Sequence, residues 1–272
     1  MSELIKKFEQ YYDKKSKNYD TDKNITGTLY AEVYNAITWK YLKPYLPRSP
    51  NNLVLDAAGG TGKWSISMAK EGCHVVLLDA SNGMLNVARR KIKNENLKDV
   101  ITIKKGDITN LDYPDETFDL ILLERSLFLF PDPSIIIQEL TRVLKKQSPL
   151  IITAGNNYVA ALTYLPEELD KAFNQLTGKH HPFLKIEGSP ELKNYFFSPN
   201  EFRELLEKEG LEIKKIIGKV ITLPLRFLQT TYFGEIWDQD LFDRILKIEL
   251  AFCEKTDAVS LAGHMQAIAY KR

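Results

Sequence analysis

The chain has 272 residues, and its 37 Lys and Arg almost balance its 36 Asp and Glu. Hydrophobic residues at 44% and charged residues at 27% are typical of a folded globular protein, which excludes a disordered chain. No apolar run approaches the ~20 residues that span a bilayer, and the balanced charge disfavours nucleic acid as a partner.

The N-terminus and the cysteine usage bear on cellular location. Residues 1–15 are charged throughout and lack the apolar core of a signal peptide. Cys73 and Cys253 make no disulfide framework, so the simplest expectation is a reducing, cytoplasmic location. No internal repeat or linker divides the chain, and we expect a single domain over residues 1–272.

Helical patterns come first, and strands alternate with helices after them. Leu29, Val33 and Ile37 recur at every fourth position, which predicts helix within residues 1–50. Apolar runs then predict strands at 53–55, 74–78, 100–103, 118–123, 150–152, 211–217 and 264–270. Late helices are predicted from the Ser198 cap to Gly210 and near 241–252. This alternation predicts an α/β fold with a doubly wound, mostly parallel sheet.

Three features follow the ends of predicted strands. A glycine turn with Gly59, Gly60 and Gly62 follows the first strand, Asp79 ends the second, and Asp107 lies past the third. Ligands of doubly wound sheets bind across these carboxyl ends. Glycines let the backbone approach a ligand closely, and the next helix offers unpaired N–H groups. Asp79 can accept both hydroxyls of a ribose, and Asp107 can accept from the amino group of an adenine.

The segments around these features resemble the class I S-adenosylmethionine (SAM)-dependent methyltransferases, in particular their small soluble, type 11-like branch. The matching segments are 54–62 (VLDAAGGTG), 76–85 (VLLDASNGML), 106–108 (GDI), 118–121 (FDLI), 142–145 (RVLK) and 197–199 (FSP). The resemblance implies a Rossmann-like, seven-stranded sheet, with SAM as the cofactor and S-adenosylhomocysteine (SAH) as its product.

The resemblance also implies roles for individual residues. The glycine turn would hold the methionine end of SAM, Asp79 the ribose, and Glu124 would lie beside the transferred methyl group. The implied cofactor-binding residues are Tyr19, Asp56, Ala57, Ala58, Gly59, Gly60, Gly62, Asp79, Ala80, Met84, Asp107, Ile108 and Glu124. Ala58 stands where the family usually has glycine, and we expect a negative φ there, at which alanine costs little.

Methyl transfer from a sulfonium is an in-line displacement, so the protein mainly positions the reactants and excludes water. No metal is expected. The candidate catalytic side chains are Glu124, Tyr19 and His181, although a solvated loop position is the commoner role for such a histidine. Arg125 is equally compatible with binding an acidic substrate and with pairing to a neighbour.

The expected organisation is an N-terminal helical lid over residues 1–50 and a cofactor-binding core over 51–155. The aromatic segments 156–197 and 220–258 would cover the substrate, and they are equally compatible with a homodimer contact. The expected function is methyl transfer from SAM to an N, O or S atom of a small-molecule acceptor. A tRNA or protein methyltransferase, a nicotinamide-dependent oxidoreductase and a non-catalytic SAM-binding module are the alternatives. The acid before the glycines, Asp56, favours the methyltransferase over the oxidoreductase.

Overall fold

The computed structural model describes residues 3–21, 27–49, 51–162, 183–186, 189–222 and 237–272. Its helices are α1 (Glu3–Lys15), α2 (Leu29–Leu42), α3 (Lys63–Lys70), α4 (Asn82–Asn94), α5 (Ser134–Val143), α6 (Asn157–Leu162), α7 (Pro199–Lys208), α8 (Gln239–Phe252) and α9 (Thr256–Val259). Its strands are β1 (Leu53–Ala57), β2 (His74–Asp79), β3 (Ile101–Lys105), β4 (Leu120–Leu123), β5 (Pro149–Gly155), β6 (Phe183–Ile186), β7 (Ser189–Tyr195), β8 (Leu211–Lys219) and β9 (His264–Lys271).

Seven of the strands form one sheet in the order β3-β2-β1-β4-β5-β9-β8. The first five strands of this order are mutually parallel, and β9 runs antiparallel to both β5 and β8. The predicted doubly wound, mostly parallel sheet is therefore confirmed. The strand order reverses between β1 and β4, and a crevice opens there at the carboxyl ends of the strands.

Local sequence accounts for the main elements. All four residues of β4 are buried, as expected of a central strand covered on both faces. The Ser81 hydroxyl accepts from the Met84 N–H at the start of α4, and Ser198 and Glu201 form a reciprocal capping box at the start of α7. These caps start two helices at the positions that the sequence predicts.

Some predicted boundaries differ from the structure. The fourth strand begins at Leu120 rather than Phe118, because Phe118 leaves the sheet ladder and forms an isolated bridge with Leu144. The predicted cover 156–197 contains α6 and the hairpin β6–β7. Its residues 163–182, which include His180 and His181, and 187–188 lie outside the described residues. So does 223–236 in the second predicted cover. Within the described ranges, no helix combines the length and apolar composition needed to cross a bilayer.

Candidate functional site

A cavity of about 140 Å³ lies at the carboxyl ends of β1, β2 and β4, with α1 along one side. It brings together most of the residues that the resemblance implied: Tyr19, Asp56, Ala58, Gly59, Gly60, Asp79, Ala80, Met84, Ile108 and Glu124. Ala57, Gly62 and Asp107 are not among its lining residues. We call it the first cavity.

The glycine turn has a geometry that other residues would disturb. A Cβ added at Gly59 would lie 2.3 Å from Leu77 Cδ1 and 2.6 Å from Asp56 Cγ, so a side chain has no room there. A Cβ at Gly60 would meet nothing within 4 Å, because this part of the turn borders open space. Gly62 adopts φ +78° as the N-cap of α3, a backbone conformation that favours glycine. The turn can therefore admit a ligand against its backbone at Gly60.

The expectation of a negative φ at Ala58 is wrong. Ala58 adopts φ +55°, in the left-handed region. This region is disfavoured for residues with a Cβ by roughly 1–2 kcal/mol. The alanine is therefore held in a strained conformation by the packing of the turn beside the cavity.

Asp56, near the end of β1, is buried, and Asp79, at the end of β2, is half-buried. Asp79 Oδ2 accepts from the Gly60 N–H at 2.9 Å and Oδ1 from the Ser81 N–H at 2.8 Å, so the side chain holds the glycine turn against the start of α4. Burial raises the pKa of Asp79 to about 6, and these backbone hydrogen bonds oppose the rise. Burial likewise raises the pKa of Asp56 to about 7, against the hydrogen bond that Ser65 donates at 2.5 Å.

The Asp107 side chain accepts hydrogen bonds from a residue close by in the chain. Its Oδ1 accepts from the backbone N–H of Thr109 at 2.9 Å and from the Thr109 hydroxyl at 2.6 Å, which closes a tight turn after β3. The neighbouring residues Gly106 and Ile108 line the first cavity instead. This placement favours a turn-forming role for Asp107, whereas its predicted contact with adenine stays a prediction.

Glu124 lies in a buried polar cluster that sequence reasoning missed. Its Oε1 accepts from Tyr34 Oη at 2.6 Å and Lys219 Nζ at 2.9 Å, and its Oε2 accepts from Thr153 Oγ1 at 2.6 Å and Lys219 Nζ at 3.1 Å. The Lys219 side chain is fully buried, and its Nζ also donates to Thr38 Oγ1 at 3.0 Å. Nothing in the local sequence pairs residues so far apart, and Lys219, the last residue of β8, lies beyond the predicted strand 211–217.

Burial disfavours the charged forms of Glu124 and Lys219, and the attraction between the two groups favours them. Burial alone would raise the pKa of Glu124, but Lys219 and the hydroxyls hold it below its usual range. Burial lowers the pKa of Lys219 to about 8, against the attraction of Glu124. Both groups are therefore charged at neutral pH. Because both Glu124 oxygens are engaged, the geometry argues against Glu124 as a general base.

The N-terminal segment is fastened to the site at two places. Asp13 Oδ1 accepts from Ser81 Oγ at 2.6 Å and from the Gly83 N–H at 2.7 Å, at the start of α4. Asp20 Oδ1 accepts from Thr61 Oγ1 in the glycine turn at 2.6 Å. Helix α1 also buries Ile5 and Phe8 against the core. The segment therefore lies along the first cavity, and its role as a lid stays a prediction.

A second cavity of about 340 Å³ shares Tyr12, Tyr19 and Arg125 with the first. Its other lining residues are Tyr11, Lys15, Phe128, Ile186, Asn194, Phe196 and His264. Burial holds the pKa of His264 well below its usual range, with Arg125 and Lys219 acting in the same direction, so this imidazole is neutral at pH 7. His264 packs edge-on to Tyr34, with ring centroids 5.3 Å apart.

The residues that line the first cavity suit SAM. Asp79 lies at the end of β2, where a ribose can reach its carboxylate, and the open backbone at Gly60 can take the methionine end. Asp79 also places a carboxylate in the lining, and its negative charge suits a cationic sulfonium. Among the described residues, no group of three or more His, Cys, Asp or Glu is arranged to hold a metal ion.

Comparison with known sequences identifies relatives. A family model described as a methyltransferase domain matches residues 48–210. The demethylmenaquinone methyltransferase of Lactobacillus johnsonii is 30% identical over 168 residues, which cover 59% of this chain and 68% of that protein. The demethylmenaquinone methyltransferase of Listeria welshimeri is 33% identical over 142 residues, which cover 51% of this chain and 58% of that protein. The match covers 55% of the demethylmenaquinone methyltransferase of Clavibacter sepedonicus at 30% identity, and 85% of that of Bacillus cereus at 26% identity.

Solved structures share the fold. A protein of Listeria monocytogenes described as a putative SAM-dependent methyltransferase superposes with a TM-score of 0.60 at 18% identity, over 88% of this chain and 99% of that one. The geranyl diphosphate C-methyltransferase of Streptomyces coelicolor, solved with SAH, superposes with a TM-score of 0.58 at 14% identity, over 88% and 79% of the two chains. Together with the matching family model, these findings show that the chain belongs to the class I SAM-dependent methyltransferases.

Proposed function

We propose that this protein transfers the methyl group of SAM, held in the first cavity, to a small molecule held in the second. The observation that carries this proposal is the junction of the two cavities, which share Tyr12, Tyr19 and Arg125. A cofactor and an acceptor in adjoining cavities can meet at such a junction without leaving the protein. This is the arrangement that an in-line transfer between two bound molecules requires.

SAM supplies the chemistry when bound, because its methyl carbon forms a bond to the acceptor while the electron pair of the C–S bond stays on sulfur. The residues of this chain hold the two reactants and exclude water. Tyr12 and Tyr19 contact each other edge-on, with ring centroids 6.3 Å apart, and both border the two cavities. These rings bring apolar surface to the junction, which keeps water from the reacting atoms.

The second cavity favours a small acceptor with a ring. Most of its lining side chains are aromatic or apolar, with ring faces contributed by Tyr11, Phe128 and Phe196. The curated relatives are named for demethylmenaquinone, so a ring-containing acceptor agrees with them as well. A protein or tRNA acceptor would have to reach the same junction past α1, and we place that alternative second.

A filling substitution in the second cavity tests the proposal. Ile186 lines the second cavity but not the first, so Ile186→Trp should obstruct the acceptor and leave the cofactor site intact. We expect SAH binding by calorimetry to stay unchanged, while transfer from methyl-labelled SAM to an acceptor found in a metabolite screen falls at least tenfold. Glu191→Trp, at an exposed position of the same hairpin, is the matched control.

Two results would contradict the proposal. Failure of the wild-type protein to bind SAH would remove the cofactor assignment of the first cavity. Transfer at the wild-type rate in Ile186→Trp would place the acceptor elsewhere.

A further inference from the structure

The lining of the second cavity carries positive formal charge. Among the described residues that line the second cavity, Lys15 and Arg125 are cationic and none is a carboxylate. A cavity that is lined by cations suits an anionic molecule.

The glutamate beside Arg125 is engaged by another cation. Glu124 precedes Arg125 in the chain, yet both of its oxygens are bonded to Lys219, which lies 2.9 Å from Oε1. That pair is neutral as a unit. Glu124 is therefore committed to Lys219, and Arg125 is the neighbouring cation that lines the second cavity.

Two buried polar atoms also point to a bound molecule. His264 Nδ1 and Asn194 Oδ1 have no hydrogen-bond partner within the described part of the chain. Both belong to residues that line the second cavity. Buried polar atoms are rarely left without a partner, because the lost hydrogen bond to water is costly. A ligand hydroxyl could donate to Asn194 Oδ1, and His264 Nδ1 could pair with a neighbouring ligand oxygen or hydroxyl.

We propose that the second cavity binds the methyl acceptor as a planar anion, with Arg125 pairing to its negatively charged oxygen and Lys15 adding charge at the rim. Asn194 and His264 pair with a neighbouring hydroxyl or oxygen of the same molecule, and the aromatic walls pack on its ring. The planar guanidinium of arginine suits a carboxylate or an acidic enol, which it can bind through two parallel hydrogen bonds. This inference rests on the function proposed above, since it names the chemical class of that acceptor.

A matched pair of probes tests the charge requirement. 3-Hydroxy-2-naphthoate has a planar ring, a hydroxyl and a carboxylate, and in 3-hydroxy-2-naphthamide a neutral amide of the same shape replaces the carboxylate. Calorimetric titration of each into the SAH-saturated protein measures binding without requiring turnover. We expect the naphthoate to bind at least roughly tenfold more tightly than the amide, as one charged hydrogen-bonded contact allows.

Variants then test which cationic residue causes the preference for the naphthoate. Arg125→Gln should remove most of the preference for the naphthoate while leaving the affinity of the naphthamide similar. Lys15→Gln should reduce the preference by a few-fold. Lys14→Gln is its matched control, because Lys14 is exposed on the same helix and does not line the cavity. If Arg125→Gln fails to fold, the anion site is still tested in two ways. These are the affinities of the two probes for the wild-type protein and the contrast between Lys15→Gln and Lys14→Gln.

The outcomes separate this inference from the proposed function. Equal affinities of the two probes, or no binding of either one, would overturn the anion site even if SAH binds and methyl transfer is observed. A preference that persists in Arg125→Gln would overturn the role of Arg125. Loss of SAH binding itself in the wild-type protein would instead count against the proposed function.

Discussion

Lys219 and Glu124 lie 95 residues apart and form an ion pair whose side chains are 0% and 5% exposed, with Nζ 2.9 Å from Oε1. The pair links the last residue of β8 to the residue that follows β4, beneath α2. Tyr34 contributes a hydroxyl to Glu124, and its ring lies 4.0 Å from Lys219 Nζ. Because Glu124 borders the first cavity, the cluster fixes part of the cofactor site to the antiparallel edge of the sheet.

Removal of one charge of this pair should be strongly destabilising. Glu124→Gln leaves Lys219 buried without its counter-ion, a change that typically costs about 3–5 kcal/mol in the free energy of unfolding. The double variant Glu124→Gln, Lys219→Met should recover much of this loss, because no uncompensated charge remains. Urea denaturation of the three proteins measures both effects. A single-variant loss below about 1 kcal/mol would mean that water reaches the pair.

Asp79 should matter for the cofactor and for the fold. Asp79→Ala removes the acceptor of the Gly60 and Ser81 N–H groups, so it should lower the free energy of unfolding by about 1–3 kcal/mol. It should also weaken SAH binding at least roughly tenfold, since charged hydrogen bonds to the ribose are lost.

Asp107→Ala is the comparison variant for Asp79. Asp107 bonds to Thr109 and does not line the first cavity, so SAH affinity should fall less than threefold. Calorimetry on both variants checks the contrast. Equal losses of SAH affinity in the two variants would instead support the adenine contact that the sequence implied for Asp107.

The raised pKa values of Asp56 and Asp79 predict how the free energy of unfolding depends on pH. Asp56 has a folded pKa of about 7, against about 3.9 in an unfolded chain. Between these values the folded protein binds more protons than the unfolded chain, so the free energy of unfolding falls as the pH rises from about 4 to 7. Asp79, with a folded pKa of about 6, adds to the fall in the lower part of this range.

Asp56→Asn should flatten this pH dependence in the protein without SAM, because the variant has no proton to lose at this position. Thermal unfolding from pH 4.5 to pH 8 measures the slope. Asp243→Asn, at an exposed acid on α8, should keep the wild-type slope. An unchanged slope in Asp56→Asn would show that Asp56 stays ionised throughout.

The contact between α1 and α4 allows a test of the lid. A Cβ at Gly83 would lie 2.6 Å from Ser16 Oγ and 2.9 Å from Asp13 Cα, so Gly83→Ala should push the N-terminal segment away. We expect faster hydrogen exchange at the amides of α1 and weaker SAH binding. Asn86→Ala, an exposed position of the same helix α4, should change neither. In the wild-type protein, equal protection of α1 with and without SAH would identify a fixed structural helix.

The strain at Ala58 predicts a stabilising substitution. Glycine tolerates φ +55° without the Cβ penalty of roughly 1–2 kcal/mol, and it loses about 0.4–1 kcal/mol through the greater freedom of the unfolded chain. Ala58→Gly should therefore raise the free energy of unfolding by roughly 0.5–1 kcal/mol. Urea denaturation checks the sign. A decrease would show that the turn relieves the strain in another way.

The sequence by itself determined the elements whose causes are local. Apolar runs predicted the strands of the main sheet, and the Ser81 and Ser198 caps marked two helix starts, because burial periodicity and capping act within a few residues. The glycine turn and Asp79 likewise predicted a cofactor site at the strand ends. Cytoplasmic location, a homodimer contact and the role of His181 stay predictions from the sequence.

Only the tertiary structure decided the relations between distant residues. The insertion of β9 between β5 and β8 places Lys219 beside Glu124, and the same packing brings His264 to the cavity that Arg125 lines. No periodicity encodes such contacts, because they depend on strand order and register across the whole sheet. The positive φ of Ala58 could not be predicted from the sequence for the same reason. The packing around the turn sets this backbone angle, and the alanine accommodates it.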